Sequence, residues 1–396
     1  MSPTRPTTFA LFATILVLAA AFAGCAEPNN TGNNNQNTQT GPCDPSKTKV
    51  AIGLVTILSG DAAALGQSAR DGARAYIEVA NSRGGVNGAC VELVERDSQL
   101  SVEKAVQGVT ELAGDPRIKG IVGPLTSDQA QASLNVANTK KVVLVSPSAT
   151  RPNLTGQIPY FFRTIPSDAV QGPDQANIVF NDFGAKQVAV VFQQNAYGAG
   201  LKDSFVQAYR ALGGTIQGEP TAFDTGKPET YAAKAIAVRA LNPTFVVVEG
   251  QEPDSAGMIK ALRDAGYTGR ILTSEAVEGQ GAITTGGSAM EGVYFTKAAA
   301  DLSNPDYTTF ANKTQIGAFT AQGYDAALVL VEAMRAVGAD GEKMRAHIAQ
   351  TTFDGTVSAD KVSFNQQGDL ASGRYQLYWI QNGQFVPAPD VTAASS

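Results

Sequence analysis

Short apolar segments and amphipathic helical segments alternate along this chain, in two successive runs, and this limits the fold more than any other feature. The segment 49–55 (KVAIGLV) reads as a buried strand. Leu65, Ala69, Ala73, Tyr76, Ile77 and Ala80 recur at helical spacing and predict a helix over 66–81. The cluster Arg83-Gly84-Gly85-Val86-Asn87-Gly88 ends that helix in a turn. Strands over 90–97, 118–122 and 142–145 follow, separated by helices over 102–112 and 128–139. The pattern restarts with a helix over 170–183. Strands at 188–192, 215–218, 245–249 and 270–273 then alternate with helices at 198–212, 230–241 and 254–265. Such alternation predicts an α/β fold of parallel sheets with helices on both faces, and two runs predict two similar lobes. No short-period repeat points to a solenoid.

Open α/β sheets bind ligands beyond the carboxyl ends of their strands. That rule selects the loops 58–66, 123–127, 146–150, 193–198, 249–253 and 274–278, which are rich in Gly, Ser, Thr and acids. They contain no His, no Cys and no Gly-rich phosphate fingerprint.

The amino-terminal segment speaks to compartment. Arg5 is the single charge before an unbroken apolar or small-residue run over 9–22. That run is short for a membrane span, which needs about 20 apolar residues. It has the length of a signal-peptide core, so 1–24 reads as a signal peptide. The run ends Ala21-Phe22-Ala23-Gly24-Cys25, which resembles a bacterial lipoprotein box with Cys25 as the acylated residue. Ala21-Phe22-Ala23 also fits an ordinary A-x-A cleavage site, and both readings stand at this point. The stretch 26–46 is rich in Asn, Thr, Gln, Gly and Pro and has almost nothing to bury. With Cys25 it reads as a disordered, lipid-anchored tether over 25–46. About 350 residues remain, enough for two lobes.

The chain has three cysteines. If Cys25 carries lipid, Cys43 and Cys90 remain. Cys43 precedes the first strand and Cys90 opens the second, so adjacent parallel strands bring them together. An exported compartment permits a disulfide there, and two unrelated thiols are the other possibility. Thirty basic and 36 acidic residues give a net charge of −6, without any basic block. Nucleic acid is therefore not an expected partner. No metal-ligand spacing and no cofactor motif is present, and none is expected.

Several motifs at the selected loops resemble the leucine/isoleucine/valine-binding, branched-chain amino-acid type of periplasmic substrate-binding protein of ABC importers. They are Leu58-Ser59-Gly60, Gly84-Gly85-Val86-Asn87-Gly88, Gly123-Pro124-Leu125-Thr126-Ser127 and Ser146-Pro147-Ser148-Ala149-Thr150. Phe162-Arg163-Thr164 with Gln171-Gly172, Tyr197-Gly198, Ser274-Glu275, Gly323-Tyr324-Asp325-Ala326 and Gly368-Asp369-Leu370 continue the series in family order. The resemblance implies a type I periplasmic binding fold: two Rossmann-like lobes with parallel sheets, joined by three crossovers near Ser167, Lys297 and Gly373. Lobe I would then comprise 47–167 plus 298–373, and lobe II 168–297 plus 374–396. A hinge motion would close them on a ligand.

The same resemblance assigns roles. Ser127, at a helix N-terminus suited to an anion, and Thr150 would hold a ligand α-carboxylate. The Ser148 carbonyl would accept from an α-ammonium. Glu275 would pair with that ammonium, with Glu278 as the alternative acid. Tyr197 would close over the ligand from lobe II. Leu65 and Gln251 stand where leucine-type binders often have aromatics, so they bear on side-chain specificity. Thr126 or Ser127 could instead serve as a plain helix cap, and Asp61 is expected to face water.

The expected function is capture of an amino acid or related small polar solute for ABC permease and ATPase subunits, by a protein held at the membrane by its N-terminal lipid. The alternatives are a ligand sensor of the same fold signalling to a partner protein, and a hydrolytic enzyme. The enzyme is disfavoured: the one histidine, His347, lies in a C-terminal helix, and Asp97, Asp128 and Glu275 have no nucleophile or metal to work with.

Overall fold

The computed structural model describes residues 41–300, 316–359, 361–389 and 391. Cys25 and the signal segment lie outside the described residues. The chain runs β1 (Val50–Thr56), α1 (Ala63–Ser82), β2 (Val91–Asp97), α2 (Val102–Gly114), β3 (Ile118–Val122), α3 (Ser127–Lys140), β4 (Val143–Ser146) and β5 (Phe161–Arg163). These strands form an all-parallel sheet in the order β2-β1-β3-β4-β5. In β1, Ala51 through Thr56 are buried without interruption, the pattern of a strand covered on both faces. α2 and α3 cover one face through Val109, Leu112, Ala130 and Leu134. α1 covers the other through Ala73, Tyr76 and Ile77.

The second run comprises α4 (Asp168–Asn177), β6 (Gln187–Gln193), α5 (Ala196–Ala211), β7 (Thr215–Ile216), β8 (Thr221–Phe223), α6 (Tyr231–Ala240), β9 (Phe245–Glu249), α7 (Asp254–Asp264), β10 (Arg270–Ser274), α8 (Gln280–Gly286) and β11 (Tyr294–Ala298). α9 (Thr320–Val337) and α10 (Gly341–Ile348) follow, then β12 (Tyr375–Gln381) and β13 (Gln384–Pro387). The chain returns to the first sheet in α9, where Tyr324 packs edge-on against Tyr76 of α1 with ring centroids 5.1 Å apart.

The second sheet differs from the expected parallel one. Its eight strands run β13-β12-β11-β10-β9-β6-β7, with β8 also on β6, and β12 is antiparallel to β11. β12 and β13 form a hairpin whose two-residue loop, Asn382-Gly383, takes φ of 52° and 69°. Asn-Gly is the sequence best suited to that left-handed pair.

The helix expected over 170–183 is instead α4 followed by a wider π-helical turn, Ile178–Asp182, closed by Phe183 N–H donating to the Ile178 carbonyl at 2.9 Å. Pro173 already removes one donor inside α4.

The first described residues are tied down rather than loose. Cys43 is disulfide-bonded to Cys90, with Cα atoms 5.0 Å apart. The Cys43 N–H donates to the Asn81 carbonyl at 2.7 Å, and Asp44 bridges Ala89. Cys43 and Asp44, assigned to the tether by composition, are thus fastened to the first sheet's edge. Closing a loop of 47 residues stabilises by about 4 kcal/mol in the chain-entropy picture. Replacing both cysteines with serine is expected to lower unfolding free energy by about 3–4 kcal/mol in a denaturant titration. A loss under about 1 kcal/mol would contradict a structural role for the bridge.

Candidate functional site

The loops at the carboxyl ends of the two sheets face each other across a cavity of about 390 Å³ of atom-free space, mouth included. Six of the seven residues proposed from sequence line it: Leu65, Ser127, Ser148, Tyr197, Gln251 and Glu275. Thr150 does not. It is fully buried behind the wall, its carbonyl accepts from Asp168 N–H at 2.9 Å, and its hydroxyl lies against the Asp168 carboxyl.

On the first-sheet side the backbone is steered by Gly123, at φ +107°, where an added Cβ would sit 2.2 Å from the Val55 carbonyl oxygen. A side chain at 123 would therefore push the loop away from β1. Thr126 takes the cap of α3, its hydroxyl accepting from Gln129 N–H at 3.3 Å. That leaves the Ser127 hydroxyl, at the first turn of α3, to accept from Arg151 N–H at 3.3 Å and to line the cavity. The neighbouring loop is held by Arg163. Its guanidinium donates to the Ala149 and Arg151 carbonyls at 3.2 and 2.9 Å and to the Thr155 hydroxyl, and pairs with Asp369 at 2.6 Å. Two of the sequence motifs, one around Arg163 and one around Asp369, thus meet beneath the loop carrying Ser148.

The wall from this side is otherwise apolar: Ile57, Leu65, Leu100, Leu125 and Phe319 line it. Sequence reasoning missed Phe319 and Leu100. Phe319 stands just before α9, four residues ahead of the Gly323-Tyr324 motif, and its N–H donates to Ser68 Oγ at 3.1 Å. Leu100 and Gln99 both adopt positive φ, 60° and 50°, an uncommon conformation for non-glycine residues. No local pattern marks either residue.

The second-sheet wall is acidic. Glu275 follows β10 directly and is 2% exposed. It accepts from the Gln171 amide, which also donates to Thr296 Oγ1 at 3.0 Å. Burial pushes its carboxyl up to about 8, and the charges of Asp168 and Glu278 add to the effect. Asp168 is raised to about 7 by burial, moderated by Thr150 and by the Arg163 charge. Glu249, at the end of β9, is raised well above the ordinary range by burial, then by Asp168 and Glu275. Of these three buried carboxyls only Glu275 lines the cavity, and a cation beside it would favour its ionised form. Glu278, the alternative acid, does not line the cavity and is paired with Lys297 at 2.5 Å. Tyr197, 5% exposed, covers the region from the first turn of α5. Gln251 N–H donates to Gln193 Oε1 at 3.0 Å, and the residue borders the cavity.

Contacts cross between the two sides outside the cavity. The Asp128 carboxylate, on α3, accepts from Ala196 N–H at the start of α5, at 3.1 and 3.3 Å. A carboxylate at a helix N-terminus is favoured by both the free N–H groups and the helix dipole. Asp97, an acid considered for catalysis, is instead a structural brace that accepts from Leu58 N–H at 2.8 Å and Ser59 Oγ at 2.6 Å. His347, on α10, packs edge-on against Phe353 and does not line the cavity, and Asp61 is exposed.

Arg163→Met should cost roughly 3–5 kcal/mol in a denaturant titration, because Asp369 and two loop carbonyls lose their partner inside the fold. A cost below about 1 kcal/mol would mean that the loop holds itself.

A family model described as periplasmic binding protein matches residues 49–384. The Leu/Ile/Val-binding protein homolog 3 of Brucella melitensis biotype 1 is 27% identical over 348 residues, spanning 85% of this chain and 93% of that protein. The leucine-, isoleucine-, valine-, threonine-, and alanine-binding protein of Pseudomonas aeruginosa is 26% identical over 339 residues, spanning 83% and 89%. Among solved structures, a leucine binding protein, LivK, from Thermotoga maritima matches with a TM-score of 0.78 at 25% identity, covering 86% of this chain and 98% of that one. The matches take in both sheets and the loops that enclose the cavity, so the chain belongs to the periplasmic binding protein family of solute-binding proteins.

Proposed function

We propose that this protein is the extracytoplasmic solute-binding component of an ABC importer and that its solute is an α-amino acid. In this reading, lobe I (47–167 with 298–373) and lobe II (168–297 with 374–396) close on the solute about crossovers near Ser167, Lys297 and Gly373. Ser127 holds the α-carboxylate, the Ser148 carbonyl accepts from the α-ammonium, and Glu275 pairs with it. Tyr197 covers the ligand, whose side chain points toward Leu65 and Gln251. The observation that carries the reading is Glu275, a buried carboxyl bordering the cavity beside two further buried acids, with no basic side chain among the cavity-lining residues. A ligand ammonium would offset a desolvation cost that the Gln171 amide and a backbone N–H offset only in part. The names of the relatives support an amino acid as the class of solute.

Titration calorimetry against a panel of α-amino acids tests the assignment. Glu275→Gln is expected to weaken binding by about 2–5 kcal/mol. The pH dependence has a definite sign. Glu275 titrates near 8 without a cation beside it, and an ammonium stabilises its ionised form. Binding therefore releases a proton, and affinity should rise with pH from about 6 to about 8, then level off. A flat profile together with a neutral Glu275→Gln would remove Glu275 from the site. Failure of every α-amino acid to bind would overturn the assigned solute class.

The same reading has 1–24 removed as a signal peptide and Cys25 acylated, so that the protein is tethered to the membrane by lipid. Cell fractionation of Cys25→Ser should then find the protein released or unprocessed. A wild-type protein that is already soluble and begins at Gly24 would show ordinary cleavage after Ala23.

A further inference from the structure

Glu252 stands beside Gln251 in the loop between β9 and α7. It borders the cavity on the second-sheet side and is wholly buried. One carboxyl oxygen, Oε2, accepts from Ala282 N–H at 2.7 Å. The other, Oε1, is buried without a hydrogen-bond partner. Two glycines admit the carboxyl to this position: a Cβ at Gly279 would lie 2.0 Å from Oε1, and one at Gly281 would lie 3.3 Å from Oε2. Burial raises this carboxyl to about 7, and only the Ala282 N–H draws it down.

A second buried acid in the wall is not needed to hold the α-amino group, which Glu275 serves in the reading above. Nor is it explained by packing, since an apolar residue of similar size would fill the space without desolvating a carboxyl. The opposite wall is apolar, formed by Ile57, Leu65, Leu100, Leu125 and Phe319. No lining side chain is basic, so an acidic ligand side chain would meet only acids there. In the ionised form the unmet requirement at Oε1 is a hydrogen-bond donor.

We propose that Glu252 determines specificity: the cleft selects an α-amino acid whose side chain carries a hydrogen-bond donor, a hydroxyl or amide group, which donates to Glu252 Oε1. This rests on the reading of the cleft as an amino-acid site. An apolar side chain of the same shape leaves Oε1 buried and unpaired, and a site built to bond a donor discriminates strongly against an analogue that lacks it.

Threonine and valine are nearly isosteric, as are asparagine and leucine, so the two pairs isolate the donor from ligand shape. Calorimetry on the full-length mature protein at about pH 8.5, where Glu252 is ionised, should give threonine at least about tenfold tighter than valine, and asparagine at least about tenfold tighter than leucine, one hydrogen bond to a charged group being sufficient for that ratio. In Glu252→Met neither an acceptor nor a donor faces the ligand, and both ratios should shrink to within about threefold. A structural role alone would weaken both members of each pair equally, and that result overturns the proposal. So does a wild-type protein that binds valine and leucine as tightly as threonine and asparagine, an outcome that leaves the amino-acid assignment intact. Absence of binding by all four and by every other α-amino acid overturns both readings.

Discussion

The Arg163 guanidinium, wholly buried, holds together the parts of the chain on which the cleft depends. It donates to two carbonyls of the loop after β4, to the Thr155 hydroxyl and to the Asp369 carboxylate, with which it also forms a 2.6 Å ion pair. A planar fork of donors suits this task, whereas a lysine would offer a point charge and fewer fixed directions. The consequence is local rigidity where it matters. The loop that carries Ser148 is anchored from below, and β5 leads directly from Arg163 into the crossover that ends at α4. A second link acts nearby: Tyr375 at the start of β12 donates its hydroxyl to the Pro166 carbonyl at 2.8 Å, and its N–H to Asp174 at 2.8 Å. Crossing strands are thereby fixed to one another close to the place where a hinge would flex.

Against that anchored side stands a wall whose character is electrostatic. Asp168, Glu249 and Glu275 are each fully buried, burial raises all three, and the charge of Asp168 further raises Glu249 and Glu275. Such a cluster is costly to keep ionised, and for raised carboxyls the cost grows as pH climbs above their unfolded-state values. A fold that keeps three acids in this position gains little stability from them. It places carboxyls that retain protons near neutral pH behind a cavity whose other wall is apolar. The contact of Asp128 with the start of α5 shows that the two walls also meet through a charge-assisted bond outside the cavity.

Much of the architecture was legible in the residues. The alternation of apolar and amphipathic segments placed both sheets, because parallel strands buried on two faces must read as short apolar runs. Cys43 and Cys90 were paired correctly from their positions at the starts of adjacent strands. The antiparallel additions β12 and β13 were not read, although Asn382-Gly383 between two aromatic-rich segments is a hairpin signal in its own right. The π turn after α4 and the shortness of β7 were also missed, since tertiary packing rather than propensity sets such boundaries.

The sequence by itself determined which loops would gather at the strand ends and which residue types they would bring: Ser127 and Ser148 on one side, Tyr197, Gln251 and Glu275 on the other. Tertiary structure decided what those residues became. Thr126 rather than Ser127 caps α3, Thr150 turns from the cavity toward Asp168, and Glu278 is taken by Lys297. Phe319 enters the wall from a segment with no local sign of it, and Glu252 enters from a selected loop in which Gln251 alone was singled out. The physical reason is that burial and pairing are long-range properties. A carboxyl's pKa, or a hydroxyl's freedom to meet a ligand, depends on partners brought close only when the chain folds, and no spacing along the sequence encodes those distances.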